Sequence, residues 1–389
     1  LIMPVWLRGI LFVLTVVAVW SGVHVYLYSK FAVIFQPDKA VKRWAIFALV
    51  FLAASYFLAR GVDSFFGRDV ALPLHWIGAV WLGYVGVAFS VFFLYDILLN
   101  LPLWIAAKVG SGPVWAEKAK YWGIRAAMLA GILVTVFGLV RNFSGPVIKT
   151  YEIALDKLPK SLDGFVLVQG SDIHLGGLVG DWYVSRIERA FEKADGDLVV
   201  LTGDLSDEHN GGDGALLGRL GKLRSKKPIL AVAGNHERYS GGEPLVQKIK
   251  DSGIDVLRQT HRIIDDGLVI AGIDDSVFMP NGLGDVPAAI DESLKGAPAE
   301  LPVILLSHRP SLMEHAAKAG VDLMLTGHTH GGQTPPFGVL NRFAFPVIKG
   351  FANYDQMKLY VTTGTAWWGA PVRVFNSPEI VRFVLRSSL

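Results

Sequence analysis

The sequence predicts an α/β globular domain set behind a membrane region of four helices. Four long apolar segments occupy residues 1–142. Beyond them, short apolar strand-like runs alternate with helix-like stretches such as 182–193, 215–223 and 311–319. Five of those runs end in polar clusters of the same kind, rich in Asp and His.

The membrane part follows from composition and segment length. The chain is 52% hydrophobic with a mean hydropathy of +0.41, more apolar than an ordinary soluble protein. Residues 5–28, 44–60, 72–98 and 122–141 form the apolar segments, most of them reaching the roughly 20 residues that cross a bilayer. Trp6, Trp44, Trp76, Trp104, Trp115 and Trp122 lie near segment ends, where interfacial aromatic belts form. A cleavable signal peptide is the rival reading of the first segment. It is disfavoured because no small-residue cleavage site follows promptly and three further segments come after. Arg8, Asp96 and Arg125 fall near segment ends, where they can snorkel. The region therefore reads as an anchor rather than a transporter.

Four spans put the N-terminal end and the following domain on one side. The two loops on the other side are flanked by Lys30, Lys39, Lys42, Arg43, Lys108, Lys118 and Lys120, against Arg8, Arg60 and Arg68 on the domain's side. Those charges predict an integral membrane protein with its C-terminal domain extracytoplasmic. Counting Arg141, Lys149, Lys157 and Lys160, which follow the last span, balances the two sides.

Function classes are narrowed by what the chain lacks. A formal net charge of +3 with no basic patch excludes nucleic acid as the expected partner. Cys is absent, which removes a disulfide partner, a thiolate zinc site and a cysteine nucleophile. Any metal must be held by His, Asp, Asn or Glu.

The segment 142–146, Asn-Phe-Ser-Gly-Pro, reads as a linker, so the predicted domains are 1–142 and 143–389. In the second, the run 165–171 leads into Asp172 and His174, and 197–202 into Gly203-Asp204. The run 228–233 leads into Gly-Asn235-His236-Glu237, 303–307 into His308, and 321–326 into Gly327-His328-Thr329-His330. Ligands of open α/β sheets bind at the carboxyl ends of the strands. Five such ends would gather Asp172, His174, Asp204, Asn235, His236, His308, His328 and His330. Seven of these suffice for two metals with one shared carboxylate, and an all-N/O set suits Mn, Fe or Zn. Singly, each element has an ordinary explanation: Gly-Asp is a common turn, and one buried His is commonly a hydrogen-bonded core residue. Ordinary turns do not produce the ordered set of five.

The ordered set Asp-x-His, Gly-Asp, Gly-Asn-His-Glu, a lone His and Gly-His-Thr-His resembles the calcineurin-like metallophosphoesterase family. The longer Gly-His-Thr-His-Gly-Gly-Gln form, the tail 359–364, the segment 369–373 and Ser377-Pro378-Glu379-Ile380 are similar to its membrane-associated bacterial branch. The match begins near Ile148. It implies a four-layer α/β/β/α sandwich with two divalent metal ions, manganese first, with zinc or iron possible. By motif position Asp172, His174 and His330 would hold one metal and Asn235, His308 and His328 the other, with Asp204 bridging. His236 would be the proton donor. In-line attack by a metal-activated water on a phosphodiester or pyrophosphate follows from that arrangement.

Between Gly364 and Gly369, where the branch has small residues, this chain has Thr365-Ala366-Trp367-Trp368. Trp367 and Trp368 either pack beneath the domain, wall the cleft or dip to the bilayer interface, where Trp is favoured. His209 and Arg238 are further candidates for substrate contact, Arg238 equally readable as a surface ion pair. His24, His75, His261, His315 and Arg373 read as structural, surface or rim residues. A four-span tether makes a membrane lipid or lipid-linked phosphate the expected substrate. The competing readings are a soluble phosphodiester with anchoring for location only, a non-catalytic metal- or phosphate-binding receptor, and a transporter with a regulatory domain.

Overall fold

The computed structural model describes residues 5–110, 113–207 and 214–388. His209 therefore lies outside the described residues. Two compact units are present: one comprises 1–139 with the short segments 334–336 and 369–374, the other 140–333, 337–368 and 375–389.

The first unit is built of α1 (Val5–Phe35), α2 (Lys39–Phe66), α3 (Arg68–Tyr95), a π-helical stretch (Asp96–Asn100), α4 (Leu101–Lys108) and α5 (Ala116–Phe143), which ends beyond the unit boundary. Among the described residues, four helices are long and apolar enough to cross a membrane: Trp6–Phe35, Lys39–Phe66, Arg68–Lys108 and Ala116–Phe143. Each runs past the apolar run that predicts it, because backbone hydrogen bonding carries a helix beyond its apolar face until a cap or glycine stops it. Asp38 starts α2 by accepting from the amides of Ala40 and Val41 at 2.8 and 2.9 Å. Gly67, at φ 83°, turns α2 into α3.

Several polar groups inside this unit are paired. Asp96 accepts from Tyr26 Oη at 2.6 Å and from Lys30 Nζ at 2.7 Å, joining the π-helical stretch to α1. Arg125 reaches from α5 to the Ile34 carbonyl at 2.8 Å, satisfying a carbonyl that the end of α1 leaves open. Gly86 of α3 lets the Pro335 carbonyl approach so closely that a Cβ would meet it at 2.5 Å.

The second unit is the α/β domain. It contains β1 (Val147–Leu155), β2 (Val166–Gly170), α6 (Asp181–Ala194), β3 (Leu198–Thr202), α7 (Gly214–Leu220), β4 (Leu230–Val232), α8 (Asn235–Ser240), α9 (Glu243–Asp251), β5 (Asp255–Val256), β6 (Thr260–Ile264) and β7 (Leu268–Gly272). There follow α10 (Val286–Leu294), β8 (Val303–Leu306), α11 (Met313–Lys318), β9 (Leu323–Thr326), α12 (Phe337–Ala344), β10 (Gly350–Tyr354), β11 (Met357–Val361) and β12 (Glu379–Ser387). Two six-stranded sheets result, ordered β1-β12-β2-β3-β4-β5 and β10-β11-β9-β8-β7-β6.

The period of two along each strand builds the layers. Leu198 and Val200 of β3 and Leu230 and Val232 of β4 face a core shared with Leu268, Ile270, Ile304, Leu306, Leu323 and Leu325 of the other sheet. The alternate residues Val269, Ala271, Val303, Leu305 and Met324 pack on α10 and α11. Complete burial of each Val, Leu, Ile or Met among these contributes about 1.5–3 kcal/mol. The outcome is an α/β/β/α sandwich. β2, β3 and β4 pair in parallel, as do β7, β8 and β9, so their carboxyl ends lie on one edge of each sheet.

Candidate dinuclear metal site

All the strand-end residues expected at the site are brought together. Five of them, Asp172, His174, Asp204, His328 and His330, have φ between 49° and 70°. Non-glycine residues in this left-handed region cost roughly 1–3 kcal/mol each and persist where the surroundings over-determine them. The strain aims each side chain away from its strand axis and into a common space. Gly327 is needed beside them, since a Cβ there would lie 2.1 Å from Ser171 Oγ and 2.2 Å from Asp172 Oδ2.

Two groups of ligand atoms form. In the first, His174 Nε2 lies 3.1 Å from His330 Nε2, and His330 Nε2 lies 3.5 Å from Asp172 Oδ1. In the second, His308 Nε2 lies 3.1 Å from Asn235 Oδ1 and 3.1 Å from His328 Nδ1. Asp204 Oδ2 stands between the groups, 3.1 Å from His308 Nε2 and 3.9 Å from His174 Nε2. Its other oxygen accepts the His236 amide at 2.8 Å.

The remaining ring nitrogens are held from behind. His308 Nδ1 donates to the Thr202 carbonyl at 2.8 Å, and His174 Nδ1 to Asp207 Oδ1 at 2.8 Å. With those protons committed outward, the inward nitrogens present lone pairs to one another and to carboxylate oxygens. Positive charge among them, a proton or a metal ion, relieves that crowding, and the donor set fits two divalent ions. The carboxylates favour that positive charge. Burial would lower His308, but the Asp204 carboxylate raises it to about 10. Burial likewise opposes His174, which Asp207 and Asp204 raise to about 9. Burial and then the His308 and Arg309 cations hold His328 down at about 2. Burial would also raise the Asp204 carboxyl, but His308 and His174 hold it well below the usual carboxylate range.

Two residues with no assigned role in the sequence reading complete the site. Asp207 Oδ1 accepts from His174 Nδ1 at 2.8 Å and from His236 Nδ1 at 2.7 Å, tying a candidate metal ligand to the candidate proton donor. Glu237, fully buried, accepts the amides of Gly234, Asp204, Leu205 and Ser206 at 2.6–3.2 Å, which shapes the turn that presents Asp204. The available signals were Gly-Asp-x-x-Asp and the Glu of Gly-Asn-His-Glu. Asp207→Asn is expected to weaken metal binding roughly 10–100-fold, the usual cost of losing a carboxylate behind a ligating histidine. Titration of metal-free protein with Mn2+ by calorimetry checks this.

The substrate candidates separate. Trp367 is 2% exposed and packs on Tyr183, Phe143 and Trp182 at 4.8, 5.8 and 6.3 Å between ring centres. Its neighbour Trp368 is 49% exposed and stands edge-on to His236 at 5.6 Å. Arg238 is exposed on α8, and its guanidinium lies beside Gly242, where a Cβ would meet it at 3.5 Å.

Comparison with known proteins agrees with this geometry. The profile of the calcineurin-like phosphoesterase family matches residues 166–332. A "Transmembrane protein with metallophosphoesterase domain" from Danio rerio is 30% identical over 370 residues, covering 90% of this chain and 82% of that protein. The chain belongs to the calcineurin-like metallophosphoesterase family. An uncharacterized metallophosphoesterase of Campylobacter jejuni is 27% identical over 96% of this chain and 97% of its own. One from Helicobacter pylori is 31% identical over 62% of this chain and 65% of its own. A metallophosphoesterase is a metal-dependent phosphoric ester hydrolase, and the family's centre is a dinuclear divalent one, for which the two groups above are candidate ligand sets.

Proposed function

We propose that this metallophosphoesterase is a membrane-anchored hydrolase of a phosphodiester or pyrophosphate bond in a lipid-linked substrate. The observation that carries the reading is Trp368, an exposed indole edge-on to His236 in a chain with four bilayer-length helices. An apolar surface beside the proton donor suits a leaving group or flank that is itself apolar. Tethering raises the effective concentration of a substrate held in the same bilayer. Manganese is the working metal on this reading, in keeping with an all-N/O donor set, with zinc or iron as substitutes. The loop charges and the bacterial relatives support an inner-membrane location with the catalytic domain extracytoplasmic.

Two divalent ions would supply Lewis acidity, charge neutralisation on phosphate oxygens and an activated water. The chain's residues do the rest. Asp172, His174 and His330 would hold one ion and Asn235, His308 and His328 the other, with Asp204 shared. Asn235 is neutral, so the ligand charge stays low and the Lewis acidity high. His236 donates a proton to the leaving oxygen from Nε2, because Asp207 engages Nδ1 and fixes the ring. Trp368 excludes water from that side.

Trp368→Ala is expected to lower turnover of a lipid-linked pyrophosphate in vesicles by about tenfold, the scale of one aromatic contact of roughly 1.5 kcal/mol. Hydrolysis of bis-p-nitrophenyl phosphate should change much less. Equal losses on both would support a soluble substrate, with anchoring only for location.

A further inference from the structure

Helix α12 is amphipathic in the opposite sense to a helix on a soluble domain. Its packed side is small and polar. Gly338 is buried so tightly that a Cβ on Gly332 would lie 2.2 Å from its Cα, and Asn341 Nδ2 donates to the Thr329 carbonyl at 3.0 Å. Its outward side carries Phe337, Val339, Leu340 and Phe343, exposed by 49%, 59%, 53% and 85%. At 100° per residue these four span an arc of about 160°. A helix of this pattern is satisfied by lipid rather than by water.

Two further observations identify the occupant. The residues immediately before α12, 334–336, belong to the membrane-helix unit, where the Pro335 carbonyl packs on Gly86. The apolar arc thus begins one peptide bond away from a segment seated among bilayer-spanning helices. Arg342 and Lys349 are also exposed, one within α12 and the other five residues beyond it. Burial, and then Lys149, Arg342 and Arg141, hold the Lys349 ammonium below the ordinary lysine range, with one carboxylate, Glu379, among them and paired to Lys149 at 2.6 Å. A local excess of positive charge suits anionic headgroups.

We infer that α12 is an interfacial helix, its Phe337–Val339–Leu340–Phe343 face inserted at the headgroup boundary of the bilayer the four helices span. The seating has a direct route to the site. α12 grips the Gly-His-Thr-His-Gly-Gly turn through Gly332 and Thr329, and Phe345, just past its end, lies 5.2 Å from the His328 ring. A lipid phosphate at the headgroup level would meet the metal-ligand turn without leaving the membrane. That purpose rests on the lipid-linked reading above; the seating itself does not.

The absence of cysteine makes the test clean. Phe343→Cys in the full chain, labelled with a nitrobenzoxadiazole dye, is reconstituted into phosphatidylcholine–phosphatidylglycerol vesicles containing doxyl lipids. Lys226→Cys, at the opposite end of β3 from the site, is the reference. Quenching at 343 at least twice that at 226 is expected. Equal quenching overturns the seating, and dye-to-dye contact between two chains in that case assigns the face to a second copy. In parallel, Val339, Leu340 and Phe343 are changed together to Ser. A tenfold loss on diacylglycerol pyrophosphate in vesicles, with bis-p-nitrophenyl phosphate hydrolysis retained, supports both proposals. Strong quenching at 343 with no selective loss keeps the seating and overturns the lipid-linked substrate.

Discussion

Asp204→Asn is expected to reduce phosphodiester hydrolysis by at least roughly 10³-fold, the scale of removing one member of a catalytic unit whose parts act together. The reason is geometric. Asp204 Oδ2 is the oxygen that stands between His308 of one ligand group and His174 of the other. Asn preserves size and the hydrogen bond to the His236 amide. It removes the negative charge that two adjacent cations require, so at least one metal should be lost with the activity. Metal content and turnover measured on the same preparation check both parts. A variant that keeps full activity would remove Asp204 from the centre.

His236→Ala is expected to act differently, sparing metal content while lowering kcat by about 10²–10⁴-fold. His236 contributes only its backbone amide to Asp204, and its ring is held by Asp207. A proton donor matters in proportion to the basicity of the leaving oxygen. The loss should therefore be steep for alkyl esters and shallow for p-nitrophenyl esters, whose leaving group departs without a proton. A leaving-group series on wild type and variant reads this out. Equal losses across the series would assign the ring to binding rather than proton transfer.

The features that were legible in the sequence are those encoded locally. Leu323-Met324-Leu325-Thr326 announces a buried strand, and the Gly-His-Thr-His after it announces a sharp exit, so the strand ends and their convergence follow from pattern. Asp207 was hidden because its role depends on two histidines, one of them 33 residues earlier and the other on α8, beyond α7 and β4. Trp367 and Trp368 are indistinguishable in sequence, yet one is buried under α6 and α5 while the other faces His236. Adjacent residues leaving a loop point to different surroundings that only tertiary structure defines. The Lys30–Asp96 pair escaped for the same reason, its partners lying 66 residues apart on different helices. The run Phe337–Ala344 looks like an ordinary core helix until its glycine and asparagine prove to be the packed face.

The account turns on two cations held by one chain. The most direct measurement is the metal content of the full chain purified in detergent, taken beside its hydrolysis of bis-p-nitrophenyl phosphate before and after chelation. Two divalent ions per chain, with activity lost on chelation and restored by Mn2+, is the predicted result. A metal-free preparation that hydrolyses the ester equally well, or a two-metal preparation that hydrolyses no phosphoric ester, would contradict it.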